Sequence, residues 1–216
     1  MTVSDTFRTL DNRKQQRILS AALTEFATAG YAGASVNNIV KKVGISKGSL
    51  FNYFSDKRGL FSLVFEQALN MVKAYLRRVR DETSSDDLFT RLEKSLLAGV
   101  AFIRSHPRVF KIYLRVLFES GLPDRNSLIK SIRRMSIEYL TEFIEVAKSR
   151  GEIHENVDVK KAAFVIEAVL ERFLQVYGLQ HLDAGLGLYK ASDEDARRWA
   201  EGVVSLLRTG LAGCGG

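Results

Sequence analysis

Proline stands at only two of the 216 positions, Pro107 and Pro123, and no Asn-Gly or Asp-Gly dipeptide occurs anywhere in the chain. Period-two alternation of apolar and polar residues is scarce as well, so nothing in the sequence builds hairpins and the chain reads as all-α. Both prolines punctuate. Pro107 suits the first turn of a new helix, and Gly121-Leu122-Pro123 marks a loop.

Apolar residues at helical spacing predict about nine helices. The first runs over about 11–29, with Ile18, Ala22 and Phe26 on one face and Gly30 as its stop. A short second helix follows, with Ser35 as N-cap, Val36, Ile39, Val40 and Val43 as its stripe, and Gly44 as terminator. Ser46 caps a third through Phe54, with Leu50 and Phe54 facing inward. A longer fourth covers about 56–81, and the rest fall near 86–105, 107–119, 125–150, 158–182 and 193–209.

Charge is unevenly placed. Of 32 basic and 25 acidic residues, the first 60 positions hold nine basic side chains against four acidic ones, and the remainder is almost balanced. An anionic partner is therefore expected at the N-terminal end. The charge profile places a functional boundary within the fourth helix: a domain at 1–56, a second at 57–216, and helix 56–81 connecting them. The single cysteine, Cys214, excludes an intramolecular disulfide framework and a cysteine-based zinc cluster. The first twelve residues do not read as a signal peptide, and no uncharged apolar run approaches the roughly 18 residues of a membrane span. A cytoplasmic protein is expected.

The informative stretch is Ser35 to Phe54. Two short helices flank a glycine turn at Gly44-Ile45-Ser46, which is a helix-turn-helix pattern. The second helix offers Lys47, Ser49, Asn52 and Tyr53 as hydrogen-bonding side chains, and Gly48 permits close approach to a major groove. Arg17, Lys41 and Lys42 suit either a solvated face or backbone phosphate binding.

Residues 13–65 resemble the DNA-binding domain of the TetR/AcrR family of bacterial transcriptional regulators. The resemblance is carried by Ile18 through Phe26, Gly30-Tyr31, Ser35-Val36 with Ile39, and the run Gly44-Ile45-Ser46-Lys47-Gly48-Ser49-Leu50-Phe51 followed by Tyr53-Phe54-Ser55-Asp56-Lys57. It implies an N-terminal three-helix DNA-binding domain and a C-terminal helical domain for effector binding and dimerisation. Asn37, Lys47, Gly48, Ser49 and Tyr53 would approach DNA, and Lys57, with the first turn of the fourth helix, would hold a phosphate. Ser35 and Asn52 complete the candidate DNA-binding set. Phe51 departs from the usual tyrosine, so a phosphate-bonding hydroxyl is missing.

Catalytic patterns carry less. Gly44-Ile45-Ser46-Lys47-Gly48 matches G-x-S-x-G, but that motif needs a strand before the serine, and here the preceding residues have helical period. The three histidines, His106, His154 and His181, have no metal-ligand spacing, and no cofactor or metal is expected.

In the C-terminal half, Phe102, Phe110, Tyr113, Leu114, Leu117, Phe118, Met135, Tyr139 and Phe143 either line a ligand cavity or pack a solid core, and the resemblance favours the cavity. Polar residues such as Glu167 and Glu171 are candidates for selecting a ligand head group. The helix 160–182 is apolar on more than one face. With the last helix it suits either a central place in a monomeric bundle or a four-helix dimer interface, the place the resemblance implies, through Val165, Val169, Phe173, Val176, Trp199, Val203, Leu206 and Leu207. The expected whole is a homodimeric repressor, released from a palindromic operator by a small apolar or amphipathic effector. Its rivals are an activator or partner-controlled regulator of the same fold, a helical hydrolase using Ser46, and a general polyanion binder.

Overall fold

A computed structural model describes residues 4–211; Cys214 and the glycines around it lie outside the described residues. There are eleven helices among them: α1 Asp5–Arg8, α2 Asn12–Gly33, α3 Val36–Val43, α4 Lys47–Tyr53, α5 Lys57–Glu82, α6 Leu88–Ser105, α7 Pro107–Phe118, α8 Arg125–Ser149, α9 Val159–Gly178, α10 Gln180–Asp183 and α11 Asp193–Leu211. No strand occurs among the described residues. The count exceeds the expected nine by α1 and α10. Both are single turns, too short to show a period.

Side-chain caps set most of the helix starts. The Asp11 carboxylate accepts the N–H groups of Arg13 and Lys14 at the start of α2, and Asp158 does the same for Lys160 and Lys161 at the start of α9. Asp87 receives Phe89 and Thr90 at the head of α6, and Pro107 opens α7. Ser192 and Asp195 cap α11 reciprocally: the Asp195 N–H donates to Ser192 Oγ at 3.1 Å, and that hydroxyl donates to Asp195 Oδ2 at 2.7 Å. The helix expected over 158–182 ends at Gly178, where the chain turns into α10.

Grouped by packing, the chain forms two compact units. Unit 1 holds the residues up to Val72 together with His106–Lys130, and unit 2 holds Lys73–Ser105 with everything from Ser131 onward. Helices α5 and α8 have residues in both. In unit 1, α2 packs on α3 and α7, and α3 packs on α4. Ile18, Ala22, Phe26, Ile39, Leu50, Phe54, Leu60 and Phe61 are almost fully buried there, with Phe26 and Phe61 in edge contact at 5.1 Å. In unit 2, α6 packs against α9 and α11. Its core joins Leu88, Leu92, Leu96 and Val100 to Phe143 and Ile144 of α8, Ala163 and Ile166 of α9, and Ala196 and Ala200 of α11. Arg104 ties α6 to the Tyr177 hydroxyl, the Asp193 carboxylate and the Ala191 carbonyl.

Candidate nucleic-acid interface

The turn between α3 and α4 is built from three residues. Gly44 adopts a left-handed conformation at φ 75° and donates its N–H to Val40 at 2.8 Å, which stops α3. Ile45 is half-buried beneath it. The Ser46 hydroxyl accepts the Ser49 N–H at 3.0 Å and starts α4. Ser46 Oγ also lies 2.8 Å from Ser49 Oγ, so the two hydroxyls share a hydrogen bond. Because α3, not a strand, precedes this serine, G-x-S-x-G here is a helix-turn-helix turn.

The expected DNA set divides on the structure. Asn37, Lys47, Gly48 and Asn52 are exposed, with Lys41 and Lys42 on the neighbouring turn of α3. Lys47 Nζ lies 5.9 Å from the centre of the Phe51 ring, which is 37% exposed. Ser49 is half-buried and bonded to Ser46. Tyr53 is only 7% exposed, its ring 6.0 Å from Phe7 and 6.3 Å from Phe54. Its ring therefore packs inside unit 1.

Three further expectations change. Ser35 occupies the N-cap position of α3, but its side chain makes no capping bond; its backbone N–H donates to Glu25 Oε1 at 2.9 Å, which Asn38 also reaches. Lys57 is engaged within the protein: its ammonium lies 3.2 Å from the Ala32 carbonyl and 5.0 Å from the centre of the Tyr31 ring. The first turn of α5 is partly capped as well, since Asp56 Oδ1 accepts the Gly59 N–H at 2.7 Å. A phosphate there would face a carboxylate already in place. Arg17 donates to the Val43 carbonyl at 2.8 Å and so supports the end of α3.

One element escaped the sequence reading. Ser4 caps α1, its backbone N–H donates to the Tyr53 carbonyl at 3.2 Å, and Phe7 is buried 4.7 Å from Phe54. The only signal was a serine three residues before an isolated phenylalanine.

Unit 1 also fastens this head to α7 and the segment after it. α2 is interrupted at Gly30, where φ is 72° and ψ 178°. The Glu119 carboxylate fills the break and accepts the N–H groups of Tyr31 at 2.8 Å and Ala32 at 3.4 Å. Arg115 donates to the Thr28 carbonyl at 3.0 Å, and Arg58 grips Asp124 through Nε at 2.7 Å and through its terminal nitrogen. Hydrogen bonding to Arg58 holds the Asp124 carboxyl below its ordinary value, against a smaller opposing effect of desolvation.

Residues 18–64 match the family model of bacterial regulatory proteins of the tetR family, and residues 86–212 match that of the tetracyclin repressor-like C-terminal domain. The chain belongs to the TetR family. It is 21% identical over 182 residues to the probable acrEF/envCD operon repressor of Escherichia coli K12, covering 82% of this chain and 81% of that protein. A TetR family regulator from Chloroflexus aurantiacus J-10-FL superposes with a TM-score of 0.68 at 28% identity, over 96% of this chain and 97% of the other. The Bacillus subtilis regulator FadR, solved in complex with stearoyl-CoA, shares the fold with a TM-score of 0.66 at 19% identity, over 90% and 98% of the two chains. The protein is thus a DNA-binding transcriptional regulator with a family C-terminal domain. No helix among the described residues is long and apolar enough to cross a membrane.

The effector candidates of this TetR protein fall into both units. Phe110, Tyr113, Leu114, Leu117 and Phe118 belong to unit 1, where Phe118 is 61% exposed. Phe102, Met135, Tyr139, Phe143, Glu167 and Glu171 belong to unit 2, where Phe143 is completely buried. Glu167 and Glu171 are both paired with Arg133, and Gln175 donates to Glu171 at 3.0 Å. Both carboxylates are thus already engaged with a cation inside the protein.

The dimer candidates divide in the same way. On α9, Val165 is exposed and Val169 half-buried, but Phe173 and Val176 lie in the protomer's own core and present no surface to a partner. Phe164, 68% exposed, was missed; with Val165 and Ala168 it forms the outward apolar face of α9. On α11, Trp199, Val203 and Leu207 are half-buried and Leu206 is 77% exposed. Trp199, Gly202, Val203 and Leu206 line an open groove with Asp195 and Arg198 at its edge.

Proposed function

We propose that this TetR-family regulator is a cytoplasmic, homodimeric repressor that reads a palindromic operator through α4 and is released by an amphipathic small molecule bound in its C-terminal part. The functional division follows: residues 1–56 read DNA, residues 57–216 bind effector and dimerise, and the helix over about 56–81 connects them. The observation that carries the reading is the sterically open start of α4, where Lys47, Gly48 and Asn52 are exposed, as is Asn37 on α3. A helix presenting a glycine and short polar side chains can enter a major groove and reach base edges.

The remaining support is physical. One seven-residue helix reads only a few base pairs, and two-fold symmetry doubles the site with half-sites about 34 Å apart. The outward apolar residues Phe164, Val165 and Leu206 need covering, and helices α9 and α11 of a second copy would cover them. The stearoyl-CoA complex of the FadR neighbour is consistent with an amphipathic effector.

Fluorescence anisotropy with operator DNA from the protein's own promoter region tests this. Lys47→Ala should weaken operator binding about tenfold and lower the salt dependence by about one phosphate contact. Tyr53→Phe keeps the ring that packs on Phe7 and removes only the hydroxyl, so it measures a polar contact free of a folding defect. Operator binding unchanged in Lys47→Ala, and equal binding of unrelated duplex by the wild type, would sink the assignment.

A further inference from the structure

Among the described residues three polar side chains are buried: Thr83, Arg91 and Ser95. The Thr83 hydroxyl donates to the Val79 carbonyl at 2.8 Å, and Ser95 Oγ shares a hydrogen bond with the Tyr139 hydroxyl at 3.1 Å. Arg91 is different. It is 5% exposed, its Nε is buried without a hydrogen-bond partner, and no carboxylate of the described residues lies within 4.0 Å of it. Its guanidinium carbon lies 3.6 Å from the centre of the Phe143 ring.

The nearby acids are engaged elsewhere. Glu142 pairs with Arg80 at 3.5 Å, and Glu152 accepts the Leu88 N–H at 2.7 Å and faces Arg150 at 3.6 Å. An arginine keeps its proton under any ordinary condition, so it cannot relieve burial by becoming neutral as a lysine can. Buried charges are normally paired, because desolvation is otherwise uncompensated. A ring beneath one face of the guanidinium offsets part of that cost and leaves the N–H edge without an anion.

The surroundings are graded. Arg91 and Ser95 stand one turn apart on α6, opposite Tyr139 and Phe143, one turn apart on α8. Three turns from Arg91 along α6, Phe102 meets Tyr75 of α5 at 5.1 Å. From Arg91 to Phe102 is about 16 Å along the helix. Within unit 2, then, a cation is followed by a pair of hydroxyls and then by aromatic surface.

We propose that Arg91 is the anchor for the acidic head group, carboxylate or phosphate, of an amphipathic effector whose apolar part lies toward Phe102 and Tyr75. The Ser95 and Tyr139 hydroxyls supply further donors. The inference rests on the reading of the C-terminal part as effector-binding and adds the charge and the end-to-end polarity of what it binds.

The test uses the full-length protein, isothermal titration calorimetry and three probes of equal chain length: dodecanoate, dodecyl phosphate and dodecan-1-ol. Wild type should bind at least one anionic probe tenfold or more tightly than the alcohol, and the tighter anion tells carboxylate from phosphate. Arg91→Met should weaken that anion ten- to a hundredfold, the scale of a charge-assisted hydrogen bond, and leave the alcohol unchanged. Equal binding of acid and alcohol by the wild type overturns the proposal, and needs no variant that might misfold. So does anion affinity preserved in Arg91→Met. Intact operator binding without binding of any probe defeats this proposal and leaves the DNA-binding reading standing, whereas loss of specific operator binding defeats the latter.

Discussion

The break in α2 at Gly30 is the point in unit 1 where one methyl group should do most damage. With φ at 72° and ψ at 178°, Gly30 occupies a region open essentially to glycine alone, and a side chain there costs about 1–3 kcal/mol. A Cβ at this position would lie 2.8 Å from both carboxylate oxygens of Glu119. Glu119 must then withdraw, and its charge-assisted bond to the Tyr31 N–H, worth about 1.5–3 kcal/mol, is lengthened or lost. Reduced freedom of the unfolded chain returns roughly 0.4–1 kcal/mol. The net expectation for Gly30→Ala is about 3 kcal/mol, which lowers Tm by about 6–12 °C for a chain of this size. Calorimetric melts of Gly30→Ala, Glu119→Ala and the double variant separate the two parts. Truncating Glu119 removes the three atoms nearest the new methyl, so the double variant should be less destabilised than the sum of the singles by at least about 1 kcal/mol. Additivity within about 0.5 kcal/mol would refute the contact with Glu119, and a Tm loss below about 2 °C for Gly30→Ala would refute the backbone argument too.

Three other outcomes follow from particular contacts. Phe51→Tyr places a hydroxyl at the end of an exposed ring on α4 and should tighten operator binding by about two- to tenfold, measured by anisotropy; no change would mean that the ring does not face a phosphate. Asp183 accepts the N–H groups of Gly187, Leu188 and Tyr189 at 3.0, 2.7 and 2.8 Å, and although desolvation opposes them, these bonds hold its carboxyl below the ordinary value. The stability it lends is complete above the unfolded value of about 3.9 and disappears as pH falls through the lower folded value, so the urea midpoint should drop between pH 4.5 and 3 and drop less in Asp183→Asn. Phe164→Glu puts a charge on the outward face of α9 and should shift sedimentation toward the monomer while the circular dichroism of the fold is retained; a dimer of undiminished affinity would remove α9 from the interface.

What could be read from the sequence was what depends on neighbours along the chain. Gly44 ending α3, Ser46 capping α4, and Leu50 and Phe54 turning inward are all decided within four residues, and each stands where the spacing placed it. The failures have longer range. α9 carries apolar residues at 159, 162, 163, 164, 165, 166, 168, 169, 170, 173, 174, 176 and 177, so nearly every stripe is a plausible core stripe. Periodicity alone does not say that Ile166, Phe173 and Val176 face inward while Phe164 and Val165 face out. Lys57 illustrates the same limit at the candidate site: its partners Ala32 and Tyr31 lie 25 and 26 positions back, and a free lysine was expected where a carbonyl and a ring already hold it.

The pairing of Glu119 with the backbone after Gly30, 88 residues earlier, was equally invisible, and it bears on how such a regulator can be switched. An effector shifts a conformational equilibrium only by binding one state better than the other. In unit 1, α2 and the start of α5 are tied to α7 and its following segment by three polar contacts: Glu119 to Tyr31, Arg115 to Thr28 and Arg58 to Asp124. Asp124 immediately precedes α8, and the same helix carries Tyr139 and Phe143, which flank Arg91 in unit 2. On the proposed reading, an anion that drew Arg91 toward itself would loosen its stack on Phe143 of α8. On that account Arg58→Ala should leave effector affinity of the isolated protein nearly intact while reducing the effect of the effector on operator release. Equal reduction of both would place the coupling elsewhere.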